Sequence, residues 1–143
     1  MSEPNIPQAI QAERAVLGCL LFAPDAALQV VASLGLRAGD FFDVQNGAIF
    51  AGIRAAADEG ASMDPIAVFH RLANQGVPFG TISDLTAMMP SLHPLPEWCG
   101  LVLDASRRRA LLAKLTQVTQ ALSAGEPTGD IVASLGDAVT VAA

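Results

Sequence analysis

The 143-residue chain is 52% hydrophobic and only 15% charged, with 14 acidic against 8 basic residues and a formal net charge of -6. That balance argues against a free-standing nucleic-acid binder, which usually carries the opposite sign. Apolar charge-free stretches such as 15–24 and 26–36 are too short to span a bilayer, and Glu3-Pro4 stands where a secretory signal has its basic start.

Tyr is absent and aromatics total 5%, so strands have little to draw on, while the Ala-rich apolar excess favours helix. Cys19 and Cys99 are far apart without metal-ligand spacing and are expected as buried thiols of a cytoplasmic protein. So few charges cover the surface thinly, which points to burial of apolar surface against another chain.

Residues 1–6 are polar, Pro-broken and expected to be disordered. Pro7 opens a helical pattern in which Ile10, Glu13, Leu17, Leu20 and Leu21 recur at spacings of three and four, with Val16 beside them. Pro24-Asp25 ends this helix and caps a second, lined by Leu28, Val31 and Leu34 and closed by Gly35. Residues 37–42 form a short helical turn presenting Phe41 and Phe42. Asp43 caps a third helix with Ile49, Phe50 and Ile53 inward and Gly60 at its end. Asp64 at the N-cap and Pro65 at the first helical position start a fourth, with Ile66, Phe69 and Leu72 at helical spacing and Gly76 as its stop. Thr81-x-x-Asp84 resembles a capping box for a fifth helix reaching Met89.

After Pro90, Pro94 and Pro96 the character changes. From Glu97 to Ala124 there is no Pro, and such a run makes ~42 Å of helix. Trp98, Leu101 and Val102 lead into a stripe of Leu111, Leu115, Val118 and Leu122. Gly125-Glu126-Pro127 turns the chain, and Thr128 caps a last helix with Ile131, Val132, Leu135 and Val139 on its apolar side. The expected fold is all-α: a small orthogonal helical globule over 7–95, then a long helical hairpin over 96–143. A two-helix hairpin cannot cover both of its apolar sides alone. Leu111, Leu115, Val118, Leu122, Ile131, Leu135 and Val139 are therefore the expected self-association surface.

The chain carries no P-loop, no dinucleotide-binding glycine motif and no nucleophile elbow. His70 and His93, its two histidines, lack a second ligand at helical spacing, so no metal site is expected. Asp40/Asp43 and Asp58/Glu59 are pairs that acid–base chemistry could use, but helix starts and a solvated helix end account for them better. No catalytic residue and no cofactor is expected. Arg107, Arg108, Arg109 and Lys114 gather half of the basic residues. They read as a contact for phosphate or an acidic partner, or as a solvated helix face with Asp104 pairing to Arg108. Three consecutive residues fan over ~200° of a helix, so they form no tight stripe.

The opening Pro7-Gln-Ala-Ile10-Gln-Ala-Glu13-Arg-Ala-Val16-Leu17-Gly18-Cys-Leu20-Leu21 resembles the start of the N-terminal domain of DnaB-type bacterial replicative helicases. Later landmarks follow in family order: Asp40-Phe41-Phe42, Ala48-Ile49-Phe50, Met63-Asp64-Pro65-Ile66, Leu72-x-x-Gln75-Gly76, Leu85, and Trp98-x-x-Leu101-Val102-x-Asp104 with Arg108 and Arg109. The resemblance covers about residues 6–125. Cys19 departs from the family's second Gly and Gln45-Asn46-Gly47 from its basic Pro-His segment. The 76–85 connection is about two residues short.

The resemblance implies a non-catalytic scaffold that pairs through its hairpin and assembles into a collar on a hexameric, ATP-hydrolysing motor. That motor is not among these 143 residues. The collar is expected to dock primase and sometimes a helicase loader, to touch DNA little and to have no membrane contact. A plasmid or phage replication adaptor mimicking this domain is an alternative, as are the similar helicase-binding domain of primases and, remotely, a small carboxylate enzyme.

Overall fold

The computed structural model describes residues 8–88, 92 and 94–142, the last five as backbone alone. These form seven helices and no strand: α1 (Ile10–Phe22), α2 (Pro24–Leu34), α3 (Val44–Asp58), α4 (Pro65–Arg71), α5 (Phe79–Ala87), α6 (Leu95–Ser123) and α7 (Thr128–Ala142). Single 3-10 turns lie at Ala38–Asp40 and Ala73–Gln75. The all-α expectation holds. Residues 1–6, Pro7, Met89, Pro90 and His93, and the side chain of Val139, lie outside the described residues. Two compact units are distinguished, Gln8–Leu103 and a second from Asp104 onward.

In the first unit α1 is central and packs on α2, α3 and α5. The sequence suggests one apolar face, yet Ala12, Glu13 and every residue from Ala15 to Leu21 are buried. Small residues make this possible: Ala12, Ala15, Gly18 and Cys19 let neighbours approach a helix that is apolar almost all round. The core continues through Val31, Ile49, Phe50, Ile53, Val68, Leu72, Ile82 and Leu85 to Leu95, Cys99 and Val102 on the first turns of α6. Burial pushes the thiols of Cys19 and Cys99 up to about 11, aided at Cys99 by the nearby Cys19, so both stay protonated at neutral pH.

Several helix limits shift for local reasons. The first described helix begins at Ile10, and Ala9 precedes it without a side-chain cap. Asp25 lies inside the first turn of α2, because Pro24 takes the first helical position that its ring suits. Thr81 and Asp84 are not a capping box. Extended Pro78 turns the chain three residues earlier, and its carbonyl accepts the Thr81 N–H at 3.1 Å, so α5 starts at Phe79. Ile66 is 61% exposed, and Val68 takes the inward place on α4. Leu101 likewise faces out while Cys99 is buried. Helix α6 starts at Leu95 with Pro96 in its first turn, where a missing N–H costs nothing, and Thr128 is the first residue of α7.

The capping expected at Asp43 and Asp64 is present, with N–H donation from Asn46 and Ala67 at 2.9 Å each. Hydrogen bonds from Ser62 and Ala67 hold the Asp64 carboxyl below its ordinary 3.8. A carboxylate with a depressed folded pKa contributes stability above its unfolded value and loses it as pH falls through the folded one. Asp64→Ala is therefore expected to unfold more readily at neutral pH, with the gap to the parent narrowing as pH drops below about 3.8 in pH-dependent thermal melts. A Cβ on Gly52 would stand 3.0 Å from a Leu72 methyl, which is how α3 reaches the end of α4. Gly52→Val overpacks that contact and is expected to cost about 1–3 kcal/mol by urea denaturation.

The feature that sequence reasoning undervalued is Glu13. It lies on the apolar face of α1 and is fully buried. Its carboxylate accepts the Phe42 N–H at 2.7 Å, the Asp43 N–H at 3.2 Å and the Asn46 Nδ2 at 3.1 Å. It thus satisfies donors at the start of α3, where helix geometry leaves N–H groups without intrahelical partners and favours negative charge. Asn46 sits in the segment that departs from the family's Pro-His pattern. Next to it, Gly47 leaves room where a Cβ would come within 3.2 Å of the Ala38 carbonyl.

A candidate partner-binding surface on the α6–α7 hairpin

The second unit is a hairpin made by the later turns of α6 and by α7. Three backbone hydrogen bonds close α6: Ala124 N–H to Gln120 O at 2.9 Å, Gly125 N–H to Leu122 O at 3.2 Å and Glu126 N–H to Ala121 O at 3.1 Å. Gly125 adopts φ +77°, the left-handed conformation that ends helices and suits a residue without a Cβ. Pro127 then blocks continuation, and its carbonyl accepts the Ile131 N–H at 3.3 Å to begin α7.

The residues expected at the surface fall into two groups. Ile131 is buried, and Val118 and Leu135 are half-buried. Val118 and Ala121 line a cleft with Pro127 and Ile131, so they face the α7 side of the hairpin. Leu111, Leu115 and Leu122 are 38%, 52% and 55% exposed, with Leu112 beside them and Val132 open on α7. At 100° per residue Leu111, Leu115, Val118 and Leu122 fall within roughly 60° of one another, one ridge along α6. Exposed leucines in such a row leave about half of each side chain's apolar area in water, worth roughly 1 kcal/mol each when buried.

The four basic residues do not form one patch. Arg108 Nε donates to Asp104 Oδ2 at 2.8 Å, the i,i+4 pair expected of a solvated face. Lys114 instead donates to Ser134 across the hairpin and to Gln117 at 3.3 Å. Arg107 is exposed and Arg109 half-buried.

The carboxylate pairs are structural. Asp43 caps α3, Asp40 accepts the Arg37 N–H at 2.8 Å, and Glu59 pairs with Arg71 at 2.5 Å beside an exposed Asp58. Helix capping and a surface ion pair account for them, so the carboxylate-enzyme alternative finds no converging site there. Among the described residues no three His, Cys, Asp or Glu gather as metal ligands, and no helix is long and apolar enough to cross a membrane.

A buried central helix, a ring of short helices and a hairpin carrying an exposed leucine ridge define an all-α domain of globule-plus-hairpin type. The chain belongs to the DnaB-like helicase N-terminal domain family, whose model matches residues 5–104. The N-terminal domain of DnaB is a non-catalytic part of a replicative helicase. The fold is similar to the crystal structure of the N-terminal domain of DnaB helicase from Mycobacterium tuberculosis, with TM-score 0.85 and 23% identity over 95% of this chain and 99% of that one. It is also similar to a DnaB-like replicative helicase studied with its primase interactions, with TM-score 0.73 and 22% identity over 89% of this chain. The chain spans 31% of that helicase. No curated protein sequence matches it significantly.

Proposed function

We propose that the chain is the collar domain of a cytoplasmic replicative DNA helicase, self-associating through its hairpin and docking primase and, in some assemblies, a helicase loader. The exposed ridge of Leu111, Leu115 and Leu122 carries this reading, because no other described residue of the single chain covers it. In this reading residues 96–143 are the dimerisation hairpin, and the parent assembly is hexameric. The similarity to a helicase studied with primase supports the choice of partner. The net charge of -6 and the Asp104–Arg108 pair support a role with little direct contact to nucleic acid.

Sedimentation equilibrium tests the first part: a dimer or larger species is expected, and a well-folded monomer at high concentration overturns it. Co-purification with the primase of the source cell tests the second. Retention by the parent chain is expected, and no retention by an assembled parent overturns primase docking.

A further inference from the structure

Away from the hairpin, the first unit carries a cleft of about 340 Å³ on the solvent side of α3. Ala38, Ala51 and Ala55 give it accessible apolar lining, above Leu36 and Phe50, which are themselves nearly fully buried. Arg37 enters from the segment after α2, and Arg54 from the middle of α3. Asp58 also lines the cleft. Arg54 and Asp58 stand at i,i+4, yet they form no ion pair, and among the described residues neither Arg37 nor Arg54 has one. The cation-first order is the weaker orientation for such a pair. In a chain with 14 carboxylates against 8 basic residues, partners are not scarce. Two guanidinium groups are nonetheless left at the rim of one apolar hollow.

We propose that this cleft binds an acidic segment of a protein partner, seating its carboxylates on Arg37 and Arg54 and an apolar side chain between them against Ala38, Ala51 and Ala55. Guanidinium forks match carboxylates in a bidentate way, and their apolar stems line such a hollow without cost. The volume lies at the low end of ligand pockets, enough for one or two side chains. A nucleic-acid strand fits worse: its successive phosphates would meet Asp58 and the field of a chain at -6, and its charge has no use for an apolar floor.

The test is an NMR titration of the isotope-labelled 143-residue chain with a blocked amphipathic helical peptide of Glu and Leu. The same peptide with Lys for Glu, inorganic phosphate and a short DNA duplex are the other arms. The Glu peptide is expected to shift the amides of Arg37, Ala51 and Arg54. The combined Arg37→Gln and Arg54→Gln variant, with spectrum otherwise unchanged, is expected to weaken it by about tenfold or more. No shift at these residues with millimolar Glu peptide overturns the proposal, as does equal binding by the variant. Larger shifts there with phosphate, DNA or the Lys peptide overturn it too.

Discussion

Glu13→Ala will lower stability by about 3–5 kcal/mol, a large share of what a domain of this size has. The wild-type carboxylate, 0% exposed, serves three donors that reach it from 29 to 33 residues further along the chain. Among the described residues no buried side-chain nitrogen or oxygen is left without a partner. Truncation removes the acceptor and leaves the Phe42 N–H, the Asp43 N–H and the Asn46 amide facing a small cavity. Each buried donor left unpaired costs about 1–3 kcal/mol, partly recovered if water enters. Urea denaturation is the measurement, with the midpoint falling and the slope unchanged. Glu13→Gln keeps one acceptor oxygen but turns an NH2 toward backbone donors, so about half the loss is expected. A loss below about 1 kcal/mol for Glu13→Ala would show that the start of α3 is held by Asp43 alone.

The second large effect belongs to the hairpin. Leu115→Asp or Leu122→Asp will weaken self-association by about 100-fold or more. In a two-fold interface each substitution acts twice, removing two apolar contacts and placing two carboxylates in the same dry seam. Both leucines are more than half exposed in the single chain, so its own stability should change little. Ala113→Asp is the control. It is exposed and lies roughly 160° around α6 from Leu115. Sedimentation at graded concentrations should show Leu115→Asp and Leu122→Asp as monomers where the parent and Ala113→Asp remain associated. Equal association of all four would place the interface elsewhere.

The secondary structure was readable wherever a residue acts on its own backbone. Asp43 and Asp64 cap the helices they precede, Gly35, Gly60, Gly76 and Gly125 take positive φ after helices, and Pro24 and Pro65 sit in first turns. The start of α5 was misplaced because Thr81-x-x-Asp84 has the spacing of a capping box. Extended Pro78 three residues before Thr81 offers the chain an earlier start. Which apolar residue faces inward was less readable. Ile66 and Val68 are both apolar on α4, and Leu101 and Cys99 on α6, and only the neighbouring helices choose between them.

The candidate surface was partly readable too. Helical spacing groups Leu111, Leu115, Val118 and Leu122, but it cannot say that Val118 faces α7 while the leucines face water. Lys114 reads in sequence as a fourth member of a basic cluster. In space it reaches Ser134, twenty residues away, because α7 folds back beside it.

By itself the sequence determined an all-α chain, where its helices are punctuated, and its membership of the DnaB-like N-terminal family. Those depend on short-range backbone chemistry and on the order of motifs along the chain. Tertiary structure alone decided that α1 is buried nearly all round, that Glu13 serves the start of α3, and that Arg37 and Arg54 share one hollow. The physical reason is the same in each case: a buried polar group or a cleft is defined by what packs beside it, and those neighbours come from elsewhere in the chain.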